Sequence, residues 1–159
     1  MHTLRPAVPA DAELLVELIR ELARYEKLEH QVKATAADLR RDGFGPTPRF
    51  EAAVAEVDGQ AAGFALWFYA YSTFEGRHGL YLEDLFVRPA FRGQGLGKAL
   101  LVHCAQVARA QGCPRYQWQV LDWNTPSIEF YERLGARRLP EWLTMRVEGT
   151  ALATLAQGK

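Results

Sequence analysis

"YLEDLFVRPAFRGQGLGKALL", residues 81–101, sets two adjacent carboxylates in an apolar strand and follows them with an arginine and three glycines that lead into a helix. Leu80–Val87 reads as a strand. Gly95–Gln111 reads as a helix, apolar at Leu96, Leu100, Cys104, Val107 and Ala108 and closed by Gly112 and Pro114. Tyr116–Leu121 is a strand again, so the unit is strand, helix, parallel strand. In such sheets ligands bind beyond the carboxyl ends of the strands. There, Arg92, Gly93, Gln94, Gly95, Leu96, Gly97 and Lys98 offer backbone N–H groups at a helix start, where the dipole amounts to roughly half a positive charge. Arg92 and Lys98 add full charges, and glycine allows the close approach that a phosphate needs. A pyrophosphate suits the loop. A Walker loop is excluded because Arg92 stands where its first glycine belongs and Ala99 follows Lys98; a dinucleotide fingerprint is excluded because Lys98 occupies its third glycine. The same spacing also suits a strand-to-helix turn without a ligand.

Outward from this stretch, Leu4–Pro6 reads as the end of a first strand. Asp11 reads as the N-cap of a helix carrying Leu14, Leu15, Leu18, Ile19 and Leu22. A short helix starts at Thr35, with Asp38 as its capping-box partner, and stops at Gly43. Phe50–Val57 and Gly63–Tyr71 flank the hairpin signal Asp58-Gly59 and form an antiparallel meander with Leu80–Val87. After Tyr116–Leu121 come a helix from Pro126 to about Leu134 and a final hairpin of Ala136–Leu139 and Trp142–Val147. The predicted order is β-α-α-β-β-β-α-β-α-β-β. This is an α/β (α+β) chain with one mixed, mostly antiparallel sheet of about seven strands and helices on both faces. Residues 1–159 are expected to form one domain, since no linker-like stretch divides them.

Nineteen basic residues balance nineteen acidic ones, which removes the electrostatic footprint of a nucleic-acid binder. No apolar run is long enough to cross a membrane and Met1–Pro6 lacks a signal-peptide core, so a cytoplasmic location is expected. Cys104 and Cys113, like His2, His30, His78 and His103, match no ligand spacing, and no metal is predicted.

Arg92, Gly95 and Gly97 meet the Arg/Gln-x-x-Gly-x-Gly/Ala signature of the GCN5-related N-acetyltransferase (GNAT) family, which this sequence resembles. "ELARYEKLEHQV", "DGFG", "YSTFEG", "YLEDLFV", "RGQGLG", "VLDWN" and "FYERLGA" fall in the order seen in its diamine (spermidine/spermine) and thialysine-acetylating branch. The resemblance implies acetyl-CoA as co-substrate. Its pyrophosphate would lie at residues 92–98, its pantetheine arm against the backbone of Leu85, Phe86 and Val87, and further contacts at Asn124, Thr125, Pro126 and Ser127. It also implies a homodimer.

An alkyl ammonium of pKa about 10.4 is neutral about once in 10^3.4 molecules at pH 7, a cost of about 4.6 kcal/mol against attack. An amine acetyltransferase therefore needs a proton acceptor, a backbone N–H for the developing oxyanion and an acid for the departing thiolate. The resemblance assigns Glu83 to the first role and Tyr131 to the last; a backbone N–H near Leu85 is the candidate for the second. Tyr25 and Glu26 match the family's amine-binding positions, Gln117, Trp118 and Gln119 another substrate-contacting strand, and Asp84 joins the acidic lining. Adjacent strand residues face opposite sides, so Glu83 and Asp84 reach one ligand together only across a bulge. The acceptor is expected to be a small primary amine: a diamine, a polyamine or a lysine analogue. A non-catalytic acyl-CoA-binding module and a peptide amine acetyltransferase remain as alternatives.

Overall fold

Asp58 (φ 49°) and Gly59 (φ 78°) both take the left-handed conformation that a two-residue hairpin turn requires. They join β2 (Glu51–Val57) to β3 (Gln60–Ser72), pairing Val57 with Gln60. In the computed structural model, which describes residues 1–158, β1 (His2–Pro6) runs antiparallel to β2, and β4 (Arg77–Val87) runs antiparallel to β3. β5 (Tyr116–Trp118) is parallel to β4. The result is one open, mixed sheet of five strands in the order β1-β2-β3-β4-β5. The helices are α1 (Ala12–Tyr25), α2 (Ala36–Phe44), α3 (Leu96–Ala110), α4 (Thr125–Arg133) and α5 (Gly149–Ala156). Contacts divide the chain into a first unit, Met1–Leu121, which holds the whole sheet, and a second from Asp122 onward, which holds α4 and α5.

Within the first unit, α1 and α2 bury Leu15, Leu18, Leu22 and Leu39 against Ala52, Val54, Phe64, Leu66 and Phe86 on one face of the sheet. Each fully buried leucine contributes roughly 1.5–3 kcal/mol. The opposite face carries Trp67, which meets His103 of α3 edge-on at 5.9 Å. Cys104 is fully buried, and burial pushes its thiol up to about 12, so it is inert.

Arg88, just past β4, ties that strand to α1. Its guanidinium donates to Glu21 at 2.8 Å, to Glu17, and to the Ala61 carbonyl at 3.0 Å. The carboxylates hold its pKa above the ordinary arginine value, Glu21 foremost. The half-buried setting makes this a stronger restraint than an exposed ion pair.

Three expectations change. Asp11 is the N-cap residue of α1, but its side chain caps none of that helix's N–H groups: its carboxylate takes a bidentate pair from Arg5 (2.7 and 2.9 Å) and the Val8 N–H (2.8 Å) at the start of the preceding 3-10 turn. That stronger, charge-assisted partner holds its carboxyl below the usual range. Ala136–Leu139 and Trp142–Val147 form no hairpin, so the sheet has five strands among the described residues and helix α5 follows that segment instead. Alternation is a local signal, whereas a strand also needs an edge to pair with. Within the described chain Leu143 and Met145 are 83% and 88% exposed. β5 also stops at Trp118, short of the predicted Leu121. Among the described residues no helix is long and apolar enough to cross a membrane, and no group of His, Cys, Asp and Glu could hold a metal.

Gly63 lets β3 and β4 approach closely. A Cβ there would lie 2.3 Å from the Phe86 carbonyl oxygen and 3.1 Å from the Val87 Cα. Gly63→Ala is expected to cost about 2 kcal/mol or more, since the obstacle is backbone and cannot rotate away; urea denaturation with an unchanged m value checks this.

Candidate active site

β4 has one residue more than its partner at the two carboxylates. Asp84 pairs with Leu66 and Leu82 with Trp67, which leaves Glu83 as the inserted residue of a β-bulge. The bulge breaks alternation. Leu82 shares the α3 face with Trp67, Phe86 packs with α1 and α2, and the doubled position sends Glu83 and Asp84 to the α1 face together. Glu26, the C-cap of α1, completes the group. Asp84 abuts the apolar cluster under α1, and burial pushes its carboxyl up to about 7, with the charges of Glu83 and Glu26 adding to it. Burial and then Glu83 also raise Glu26. Asp84 and Glu26 are thus both raised, and each feels the charge of Glu83.

The bulge also turns the backbone. Before it, the Leu80 N–H donates to the Arg115 carbonyl at 3.1 Å, so even-numbered residues face β5. After it, the Arg88 N–H donates to the Ala62 carbonyl at 2.8 Å and the Phe86 carbonyl lies against Gly63, so even-numbered residues face β3. β5 pairs with β4 at Leu80, Tyr81 and Leu82 and then departs. Leu85 and Val87 therefore present their N–H and C=O groups along an open sheet edge. Phe86 does not, and its ring is buried. The Val87 carbonyl accepts from Arg92 Nε at 2.9 Å, and the Arg92 guanidinium lies 5.0 Å from the Tyr25 ring centroid and 5.6 Å from that of Phe86.

Beyond this edge lies the glycine turn. Gly93 (φ 76°) and Gly95 (φ 80°) are left-handed, and a Cβ on either, or on Gly97, would meet no heavy atom within 4 Å. No side chain caps α3, whose first backbone bond runs from the Ala99 N–H to the Gly95 carbonyl. The N–H groups of Leu96, Gly97 and Lys98 thus lack intrahelical acceptors, while the Leu96 side chain anchors the turn in the core. This concavity fits a diphosphate, and the open edge fits an extended amide-bearing arm such as pantetheine.

Tyr25 ends α1 beside Glu26 and is partly exposed. Gln117 pairs with Tyr81 and lies on the carboxylate face; Trp118 pairs with Leu82 and so faces the other way; Gln119 lies beyond β5. In the second unit Asn124 is the buried N-cap of α4, Thr125 and Pro126 are exposed, and Ser127 and Tyr131 are half-buried. Sequence reasoning missed Tyr81 and Phe68. Paired across β3 and β4, they stack at 5.0 Å on the carboxylate face. Burial and Glu83 push the Tyr81 hydroxyl above its usual value. The signal was the two-residue step from Tyr81 to Glu83.

Residues 13–136 match the acetyltransferase (GNAT) family model. A thialysine N-epsilon-acetyltransferase of Mus musculus is 42% identical over 96% of this chain and 96% of its own. Its namesake in Caenorhabditis elegans is 38% identical over 93% and 92%. Among solved structures, an integron cassette protein from the mobile metagenome of V. cholerae superposes with a TM-score of 0.81 at 26% identity, covering 98% of each chain.

A carboxyl whose pKa rises on folding weakens the fold as pH climbs from its unfolded value, near 3.9, to its folded one. Asp84→Asn should therefore stabilise the protein at pH 8 by about 1 kcal/mol or more, a tenfold change in proton affinity being worth about 1.4 kcal/mol, with the gain vanishing below about pH 4. Denaturation midpoints across pH measure it.

Proposed function

The chain belongs to the acetyltransferase (GNAT) family, and on that premise we propose that it moves the acetyl group of acetyl-CoA to a primary amine of a small cationic acceptor, a thialysine-like lysine analogue, a diamine or a polyamine. N-acetyl transfer from acetyl-CoA is the activity of that family, and its relatives of 38% and 42% identity are named N-acetyltransferases. In this reading both substrates are bound together and attack is direct. The observation that carries it is the bulge at Glu83, which sets a pair of carboxylates beside an open strand edge.

Acetyl-CoA, when bound, supplies an activated thioester. The Leu96, Gly97 and Lys98 N–H groups and the charges of Arg92 and Lys98 hold its diphosphate, with Gly93, Gln94 and Gly95 shaping the turn. The backbone of Leu85 and Val87 aligns the arm, and the Leu85 N–H donates to the thioester oxygen. For Asn124, Thr125, Pro126 and Ser127 the resemblance implies further contacts with the cofactor. Glu26, Glu83 and Asp84 draw in the ammonium, with Tyr25 and Gln117 beside them. A carboxylate next to an ammonium favours its charged form, so Glu83 helps the reaction only by accepting the proton, a step that offsets part of the roughly 4.6 kcal/mol penalty. Tyr131 returns a proton to the sulfur. The resemblance supplies the roles of Glu83 and Tyr131, and the family match across residues 13–136 spans both units, which supports one working domain. The exposed Leu143 and Met145 offer a second copy an apolar surface, in line with a homodimer.

Thiol release from acetyl-CoA with lysine, thialysine, putrescine, spermidine, spermine and short peptides tests the proposal. Turnover with small amines is expected, falling about 10²–10⁴-fold in Glu83→Gln and in Tyr131→Phe while CoA still binds. Light scattering on the same preparation should give a dimer mass. Tight CoA binding without turnover of any amine, or turnover of peptides alone, contradicts the reading.

A further inference from the structure

On the carboxylate face, β4 leads from Glu83 back to Gly79, four residues and about 13 Å away at roughly 3.3 Å per residue. Between them Ala70, Gly79, Tyr81 and Gln117 line a hollow of about 80 Å³, roofed at its far end by Arg115. The Arg115 stem lies over Gly79, where an added Cβ would stand 2.9 Å from its Cγ. Its guanidinium approaches Glu75, on the β3–β4 turn, at 3.5 Å, and the two side chains are 44% and 46% exposed. This is a loose pair of opposite charges on the same face of β4 as the acidic group, at the far side of that hollow.

We propose that Arg115 and Glu75 read the carboxylate and the α-ammonium of an amino-acid acceptor whose side-chain amine lies among Glu26, Glu83 and Asp84. The inference rests on the acetyltransferase reading and narrows its acceptor to a lysine-type amino acid. From terminal nitrogen to carboxylate carbon, an extended lysine-length chain spans about 7 Å. The side chains of Glu83 and Arg115 cover the rest of the distance. Stacked Phe68 and Tyr81 give the methylenes an apolar floor. The planar fork of Arg115 suits a carboxylate, and its present partner is far enough away to yield. A polyamine fits the same groove less well, because its second ammonium would meet the positive charge of Arg115 and find Glu75 already engaged.

The test compares L-lysine with cadaverine, which is lysine without its carboxylate, as acceptors in acetyl-CoA-dependent thiol release. Wild type should prefer L-lysine in kcat/KM by about tenfold or more, mainly through KM. Arg115→Gln, which keeps the stem over Gly79, should erase most of that preference, with KM for L-lysine rising and cadaverine, relieved of the guanidinium's repulsion, turned over equally well or better. Glu75→Gln should weaken L-lysine less. An unchanged preference in Arg115→Gln, or a wild type that favours cadaverine or treats the two alike, overturns this inference and leaves the acetyltransferase reading standing. No turnover of either, or of any other amine, by wild type overturns both.

Discussion

A regular strand sends neighbouring side chains to opposite faces, and two adjacent carboxylates on such a strand would serve two different surfaces. One inserted residue removes that constraint. With Glu83 as the extra residue of β4, Leu82 stays in the core under α3 while Glu83 and Asp84 both turn toward α1. Everything distinctive about the first unit's functional face depends on that insertion. It gathers Glu26, Glu83 and Asp84 into one acidic group in which the carboxyls of Asp84 and Glu26 are raised, and it reverses which backbone groups of β4 face the open edge.

That reversal matters because β5 abandons β4 at Leu82, just where the parity changes. The N–H and C=O groups of Leu85 and the N–H of Val87 are left unpaired by any strand, while the Val87 carbonyl takes Arg92. A few residues on, α3 starts without a side-chain cap, the kind of helix start at which anions are favoured. Arg88 and Arg92 hold the surroundings in register: Arg88 grips Glu17 and Glu21 of α1, and Arg92 reaches from the glycine turn to Val87 and Tyr25. The end of α1 is thereby tied to the strand edge from two directions.

Much of this was legible in the sequence because it is local chemistry. Asp58-Gly59 announces its hairpin, Thr35 and Asp38 their capping box, and residues 92–98 a left-handed glycine turn leading into α3. What was not legible depends on partners distant in sequence. Arg5 draws Asp11 away from its capping role, and the alternating segment 142–147 finds no strand within the described chain. The bulge was anticipated only as a condition, since register is decided by the meeting of β3 and β4. Phe86 looked like a cofactor contact until parity after the bulge turned its carbonyl to β3. Arg115 and Glu75 lie forty residues apart and are joined only by the parallel pairing of β4 and β5.

The most direct measurement is a carbon-13 NMR titration of the Asp84 side-chain carboxyl in the wild type and in Glu83→Gln. A midpoint near 7 in the wild type, lower in the variant, is the result predicted for two carboxylates on one face beneath α1. An ordinary carboxylate midpoint near 3.9 in both would contradict it, because strand neighbours on opposite faces would neither share that burial nor feel each other so strongly.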